Sequence, residues 1–340
     1  MPKRFIWTLA ALVIFAVKSF AQEPYLNQRC VHIDGLEPPV CVTSIDQTPL
    51  ANRLPLILIH GWNYGGTPGS PITDTWDNFK SFYNINPDLY NKFKIFEFTY
   101  HSNHWILEDV ATALGAAINH FGYWTFGEGR DMVLIGHSMG GLVARNLLKF
   151  ITIRTGLLGN RIPLVITLGT PHHGTMIANG PALYDNVSPI FLPLMAIIDT
   201  IFIKPNWWEL NRSELLWDNF DNRFDRIYNG EKNDFLLELN KDTSFDHKII
   251  AYGGAIGRCD DIDTIYCIGR TIIGEGFGLA NDGMVPVSSA LFYTDTDLHR
   301  VNSRFKTRYF SDYDHSQIAK GRGDGALFTA IKNDLLSVTK

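Results

Sequence analysis

A serine stands between two glycines directly after a short apolar run. The run is Met132–Ile135, and Ser138 is the centre of a Gly-x-Ser-x-Gly motif over residues 136–140. Small residues must flank a serine at a tight strand-to-helix turn, because larger side chains would collide with the neighbouring backbone. The pattern predicts a strand, a turn that exposes the Ser138 hydroxyl, and a helix over about 141–153 whose positive end points toward it.

A serine hydroxyl is a weak nucleophile at neutral pH and needs a base that a carboxylate orients. On a doubly wound sheet, the acid and then the histidine follow the serine along the chain. His315 is the strongest candidate base, since it lies between the last predicted strand and the last predicted helix. His299 is the alternative, with a weaker strand pattern before it.

The candidate acid is Asp282, which lies in an Asn-Asp-Gly turn sequence that fixes its backbone. Two alternatives stay open. Asp282 can be only the polar member of this turn, or the acid can be another aspartate after the strand at 248–252. The other candidates are Asp260, Asp261, Asp263 and the aspartates near position 295.

A tetrahedral oxyanion needs two fixed N–H donors. Met139 follows the serine and supplies one by position, and Trp62 supplies the other from the glycine-rich loop that begins at His60 and Gly61. His60, Gly61 and His137 are candidates for contact with the substrate. For His60, a buried structural histidine that bonds to neighbouring loops is the stronger interpretation.

The elements that must position these residues follow from the hydrophobic pattern. Alternation of strands and helices predicts an α/β fold, a doubly wound and mainly parallel sheet with helices on both faces. Active sites in such sheets lie beyond the carboxyl ends of the strands. The predicted strands are 54–59, 94–100, 131–135, 163–168, 248–252 and 306–310, and the predicted helices are 74–83, 105–120, 141–153 and 326–338.

Residues 175–246 interrupt this alternation. They are rich in bulky apolar and aromatic residues as far as 217 and polar beyond it, which predicts a helical insertion over the active-site edge. The insertion is either a lid that opens at a lipid surface or a cap over a pocket for a soluble substrate. Prolines at 189, 193 and 205 exclude a transmembrane helix here.

Residues 1–21 have the pattern of a secretory signal peptide: two cations, an apolar stretch and a small-x-small cleavage site. A membrane anchor is the weaker alternative, because the stretch is short. We expect a secreted or periplasmic domain over 22–340. Loss of three cations with residues 1–21 changes the formal net charge from −5 to −8, which disfavours a nucleic-acid partner.

The four cysteines allow three pairings if they form disulfides, as their even number suggests for an oxidising compartment. Sequence proximity favours the pairs Cys30–Cys41 and Cys259–Cys267. Free buried thiols are the alternative. A zinc site is disfavoured, because the chain has no Cys-x-x-Cys spacing.

Four motifs together resemble the α/β-hydrolase lipases and esterases, most closely the bacterial triacylglycerol-lipase type. They occur in the family's order at 58–61, 136–145, 168–174 and 281–286. The resemblance implies Ser138 as nucleophile, Asp282 as acid and His315 as base. It implies a hydrolase of acyl esters, acting on a lipid or acyl-ester substrate that can be presented at a lipid–water interface.

Two alternatives to a lipase or carboxylesterase stay open. One is a phospholipase or acyltransferase with the same three residues, and the other is a non-catalytic lipid-binding protein of the same fold. We expect no cofactor. Many lipases of the bacterial triacylglycerol-lipase type bind structural calcium through aspartates, and one of these aspartates lies two positions after the catalytic histidine. Gln317 stands at that position here, so we expect no metal site.

Overall fold

The computed structural model of the chain describes residues 28–33, 36–62, 74–100, 102, 107–121, 131–155, 159–178, 214–217, 233–260, 262–293 and 303–339. The predicted signal peptide, residues 1–21, lies outside these segments.

One sheet forms the centre of the described structure. Its strands are β1 (Gln28–Ile33), β2 (Leu36–Ser44), β3 (Leu54–Ile59), β4 (Phe93–Thr99), β5 (Val133–His137), β6 (Leu164–Leu168), β7 (Ile249–Ala255) and β8 (Lys306–Ser311). Their order is β1-β2-β4-β3-β5-β6-β7-β8. β2 is antiparallel to both of its neighbours, and all other neighbouring pairs are parallel. The predicted mainly parallel sheet is confirmed.

Helices cover both faces of this sheet. They are α1 (Asp77–Asn84), α2 (Pro87–Lys92), α3 (Leu107–Phe121), α4 (Met139–Thr155), α5 (Asp234–Lys241), α6 (Thr264–Phe277), α7 (Val287–Ala290), α8 (Gln317–Lys320) and α9 (Ala326–Leu336). Buried side chains of α3, α4, α5 and α6 form one hydrophobic cluster, and those of α1, α2 and α9 form a second. The fold is therefore doubly wound, as predicted.

Strand β3 shows why the apolar runs become central strands. All six of its residues are buried. Ile57 and Ile59 belong to the cluster on one face, whereas Leu56 and Leu58 belong to the cluster on the other, as the two-residue period of a strand requires. A strand that is covered on both faces needs apolar side chains at every position, which is the pattern read from the sequence.

Several elements were not predicted. The hairpin of β1 and β2 lies at one edge of the sheet, where Cys30 and Cys41 are register partners and form a disulfide. Helix α2 was also missed. So was α6. The second disulfide joins Cys259 to Cys267, so both favoured cysteine pairs are present.

The predicted insertion, residues 175–246, is described only at 175–178, 214–217 and 233–246. Met176 and Leu216 are buried in the same cluster as α3 and α4, so these short segments belong to the body of the domain. The most apolar stretch, 190–203, lies outside the described residues, and the lid stays a prediction. Within the described part of the chain, no helix combines the length and apolar character needed to cross a membrane.

Candidate active site

Ser138 occupies the sharp turn between β5 and α4. Its φ of 53° is in the left-handed region, which is strained for a residue with a side chain. The Ser138 N–H donates to the Leu168 carbonyl of β6 at 2.8 Å, and the Ser138 carbonyl accepts from Gly141 N–H at 3.0 Å. The turn therefore presents the hydroxyl at the carboxyl edge of the sheet, as the sequence predicts.

Close contacts with neighbouring backbone atoms require glycine at both ends of the motif. A Cβ atom on Gly136 would lie 2.5 Å from the Gly140 carbonyl oxygen, and one on Gly140 would lie 2.5 Å from the Ile59 carbonyl oxygen. Neither neighbour is a side chain that can move aside. These two positions therefore admit no side chain without a shift of the backbone that holds Ser138.

Ser138, His315 and Asp282 lie in one hydrogen-bonded row. The His315 Nδ1–H donates to Asp282 Oδ2 at 2.8 Å, and His315 Nε2 accepts from the Ser138 hydroxyl at 2.9 Å. Asp282 is fully buried, and its other oxygen, Oδ1, accepts from the N–H groups of Met284 and Val285. A buried carboxylate needs such partners, and they leave Oδ2 aimed at the imidazole.

The loop that bears His315 is fixed by its own backbone. The His315 N–H donates to the Asp282 carbonyl at 2.9 Å, so the two residues are joined by main chain as well as side chain. Asp314 Oδ1 accepts from Gln317 N–H at 2.7 Å, and Gln317 Oε1 accepts from Asp314 N–H at 3.1 Å. This reciprocal pair of hydrogen bonds closes the turn that leads from the base into α8. Gln317 therefore has a structural role in the base-bearing loop.

The glycine-rich loop after β3 passes directly over the serine. A Cβ on Gly61 would lie 2.5 Å from Ser138 Cβ and 3.2 Å from its Oγ, so only a glycine permits this approach. Trp62 follows at once, partly buried against the core. Met139 is the first residue of α4, where helix N–H groups have no partner within the helix. Both predicted oxyanion donors thus belong to segments adjacent to Ser138.

His60 is buried, and its ring bonds both to its own loop and to the residue that follows β4. Its Nδ1 donates to the Gly61 carbonyl at 2.7 Å, and its Nε2 accepts from Tyr100 N–H at 3.3 Å. The ring stacks on Tyr100 with a centroid distance of 4.4 Å. Burial lowers the pKa of His60 to about 4. These contacts favour the structural interpretation of His60 over a substrate contact.

His137 bonds to the backbone of the residue that we assign as the base, His315. Its Nε2 donates to the His315 carbonyl at 2.8 Å, and the two rings lie 4.9 Å apart. Burial lowers the pKa of His137 to about 3, and the neighbouring His315 adds to this lowering. A neutral His137 therefore holds the loop of His315, and its predicted contact with the substrate stays a prediction.

The segment after β6 contributes a residue whose role was missed. Gly169, with a φ of 56°, would place a Cβ 3.2 Å from Asp282 Oδ2 and 3.3 Å from His315 Nδ1. It therefore packs against the hydrogen bond between acid and base. Its Gly-Thr-Pro motif was noted in the sequence, but only the three-dimensional contact shows what the glycine does. His172, from the same motif, is buried beside Arg145 and Thr167.

Two of the alternative acids, Asp260 and Asp263, do not join this row. Asp260 is exposed and Asp263 precedes α6, whereas His299, Asp261 and the aspartates near 295 lie outside the described residues. Among the residues that the structure describes, no group of three or more histidine, cysteine or acidic side chains is placed to bind a metal ion.

Comparison with known proteins agrees with this architecture. Residues 100–191 match the sequence model of the PGAP1-like alpha/beta domain family. No curated protein sequence matches the chain. Mature lipase BlEst2 of Bacillus licheniformis superposes with a TM-score of 0.51 at 19% identity, over 88% of this chain and 98% of that one. Its propeptide form gives a TM-score of 0.51 at 18% identity, over 88% and 54% of the two chains.

The chain has the α/β-hydrolase fold. The resemblance to lipases and esterases read from the four motifs is thus confirmed at the level of the fold. In this fold, Ser138 follows β5, Asp282 comes after β7, and His315 follows β8. This is the chain order that the sequence argument assumed.

Burial of neutral histidines predicts a loss of stability in acid. The pKa of His60 falls from 6.5 in the unfolded chain to about 4 in the folded one. Between these values the unfolded chain binds more protons, so the free energy of unfolding falls as pH falls. In His60→Phe this slope should be smaller by about 1.4 kcal/mol per pH unit. Urea unfolding of wild type and His60→Phe at several pH values measures this slope. Equal slopes in the two proteins would contradict the lowered pKa of His60.

Proposed function

We propose that this α/β hydrolase cleaves carboxylic esters of acyl chains, with Ser138 as nucleophile, His315 as general base and Asp282 as the acid that orients it. The observation that supports this most strongly is the continuous row of two hydrogen bonds, 2.8 and 2.9 Å long, from the buried carboxylate to the strained serine. A protein that only binds its ligand needs neither the strained backbone of Ser138 nor the row of hydrogen bonds that joins Ser138, His315 and Asp282.

In the proposed reaction, His315 Nε2 takes the proton of the Ser138 hydroxyl as its oxygen attacks the ester carbonyl carbon. The imidazolium that forms is stabilised by Asp282. The N–H groups of Met139 and Trp62 donate to the oxyanion. Collapse of the tetrahedral intermediate expels the alcohol, which takes the proton from His315. Water then attacks the acyl-enzyme by the same path and releases the acid.

We propose that the protein acts in an oxidising compartment, secreted or periplasmic, after removal of residues 1–21. Its two disulfides fit such a compartment. The apolar composition of 190–203 supports the proposal of a lid that opens at a lipid–water interface. A lipase would then prefer long acyl chains in aggregated form, whereas an esterase would prefer short soluble ones.

Hydrolysis of p-nitrophenyl esters from acetate to palmitate tests the proposed function. Wild type should turn over at least one ester, and Ser138→Ala should be slower by on the order of 10⁴-fold or more, because the nucleophile is lost. The chain-length optimum separates lipase from esterase. Equal rates in both proteins, or no hydrolysis by wild type, would contradict the proposal. Product analysis with glycerol present distinguishes an acyltransferase, which would form glyceride.

The contact of Gly169 with the acid–base pair gives a second prediction. In Gly169→Ala the new methyl group would lie 2.9 Å from Ile318 Cγ2, 3.2 Å from Asp282 Oδ2 and 3.3 Å from His315 Nδ1. Because it would press on the acid–base pair, kcat should fall by up to about 10²-fold, the cost of a misplacement of about 1 Å at a reacting centre.

Gly323→Ala is the matched control. Gly323 also has a positive φ, 82°, but a Cβ there would meet nothing within 4 Å. The control therefore has the same kind of backbone strain without the contact, and its kcat should be unchanged. A similar kcat for both variants would show that Gly169 does not act through the acid–base pair.

A further inference from the structure

Helix α6 begins beside the residues that we assign to catalysis. The Cys259–Cys267 disulfide joins the loop after β7 to the first turn of this helix. The same turn is closed by the Tyr266 N–H, which donates to the Asp263 carbonyl at 2.9 Å. Arg270 Nε donates to the Ile256 carbonyl at 2.9 Å, just past the end of β7. The start of α6 is therefore held to the carboxyl end of β7 by covalent and hydrogen bonds.

The same helix contacts the turn that bears the acid. Gly269 lies so close to Gly283 that a Cβ on Gly269 would overlap the Gly283 carbonyl oxygen. Asn281 Nδ2 donates to the Arg270 carbonyl at 3.3 Å, and the Asn281 Oδ1 accepts from Gly283 N–H at 2.9 Å. Both residues that flank Asp282 in the chain thus rest on α6.

Tyr266 lies beside both the acid-bearing turn and the base-bearing loop. A Cβ on Gly283 would come within 2.7 Å of both Cα and Cβ of Tyr266, so the main chain of Tyr266 abuts the acid-bearing turn. Its ring lies 6.3 Å from the His315 ring, tilted by 52°. Burial raises the pKa of the Tyr266 phenol, as do nearby Asp314 and Asp282, and the phenol also interacts with the Ser316 side chain.

We propose that Tyr266 is a positioning residue that fixes the distance between Asp282 and His315, with α6 and its disulfide as the support. The main chain of Tyr266 sets the acid-bearing turn through Gly283, while its ring sets the base-bearing loop at His315. The inference rests on the proposed function, because it assigns Tyr266 to the acid and base of that reaction.

The test compares Tyr266→Ala with Tyr266→Phe. Loss of the ring should lower kcat about tenfold or more with little change in KM, and should move the acid limb of the kcat/KM profile to lower pH. The direction follows because a His315 ring that is held less closely to Asp282 has its imidazolium stabilised less by that carboxylate. Phe retains the ring and should restore most of kcat. Tyr90→Ala, which truncates a partly buried tyrosine on α2, controls for general loss of packing.

A second measurement does not depend on turnover. The His315 Nδ1 proton, in its hydrogen bond to Asp282, should give a low-field proton resonance in wild type that broadens in Tyr266→Ala and persists in Tyr266→Phe. Unchanged kcat, acid limb and resonance in Tyr266→Ala would overturn the proposal. A change confined to KM or to chain-length preference would instead make Tyr266 a substrate contact. If wild type hydrolyses no ester, the proposed function fails, and the resonance alone still tests the role of Tyr266.

Discussion

The backbone of Ser138 is held in a conformation that it would not adopt alone, and the rest of the site depends on that constraint. A left-handed φ in a residue with a side chain costs on the order of 1–2 kcal/mol and persists only where the surroundings impose it. Here the surroundings are β5 before the serine, α4 after it, and the hydrogen bond from Ser138 N–H to β6. Gly61 and Gly140 are glycines because β3 and its loop must lie against the same turn.

The parallel sheet brings the other two residues to this turn from distant parts of the chain. Asp282 and His315 follow β7 and β8, and their backbones meet through the bond from His315 N–H to the Asp282 carbonyl. A fully buried carboxylate is costly unless it is paired, and Asp282 has both oxygens occupied. The contact with His315 that compensates the buried charge of Asp282 therefore also holds the base in place.

Much of this arrangement was predictable from the sequence, because local patterns specify it. The continuous apolar runs at 54–59 and 163–168 predict central strands, and the glycines around Ser138 predict the tight turn. Cys259 and Cys267 were paired from proximity alone. In each case the decisive neighbours are a few residues away in the chain.

What could not be predicted depends on contacts between distant residues. Gly169 matters because it touches Asp282 and His315, and Tyr266 because α6 rests on the acid-bearing turn. Gln317 was read only as a missing metal ligand, whereas its side-chain oxygen and its backbone N–H both bond to Asp314 in the base-bearing loop. The hairpin of β1 and β2 was missed because neither strand has a long continuous apolar run.

The most direct test of the central claim is covalent labelling with a fluorophosphonate, followed by mapping of the modified residue by mass spectrometry. We expect rapid, stoichiometric modification of Ser138 alone, because His315 and the strained turn activate that hydroxyl. In His315→Ala the labelling rate should fall steeply while the fold is retained. Modification of a different residue, or labelling of Ser138 at the same rate without His315, would contradict the account.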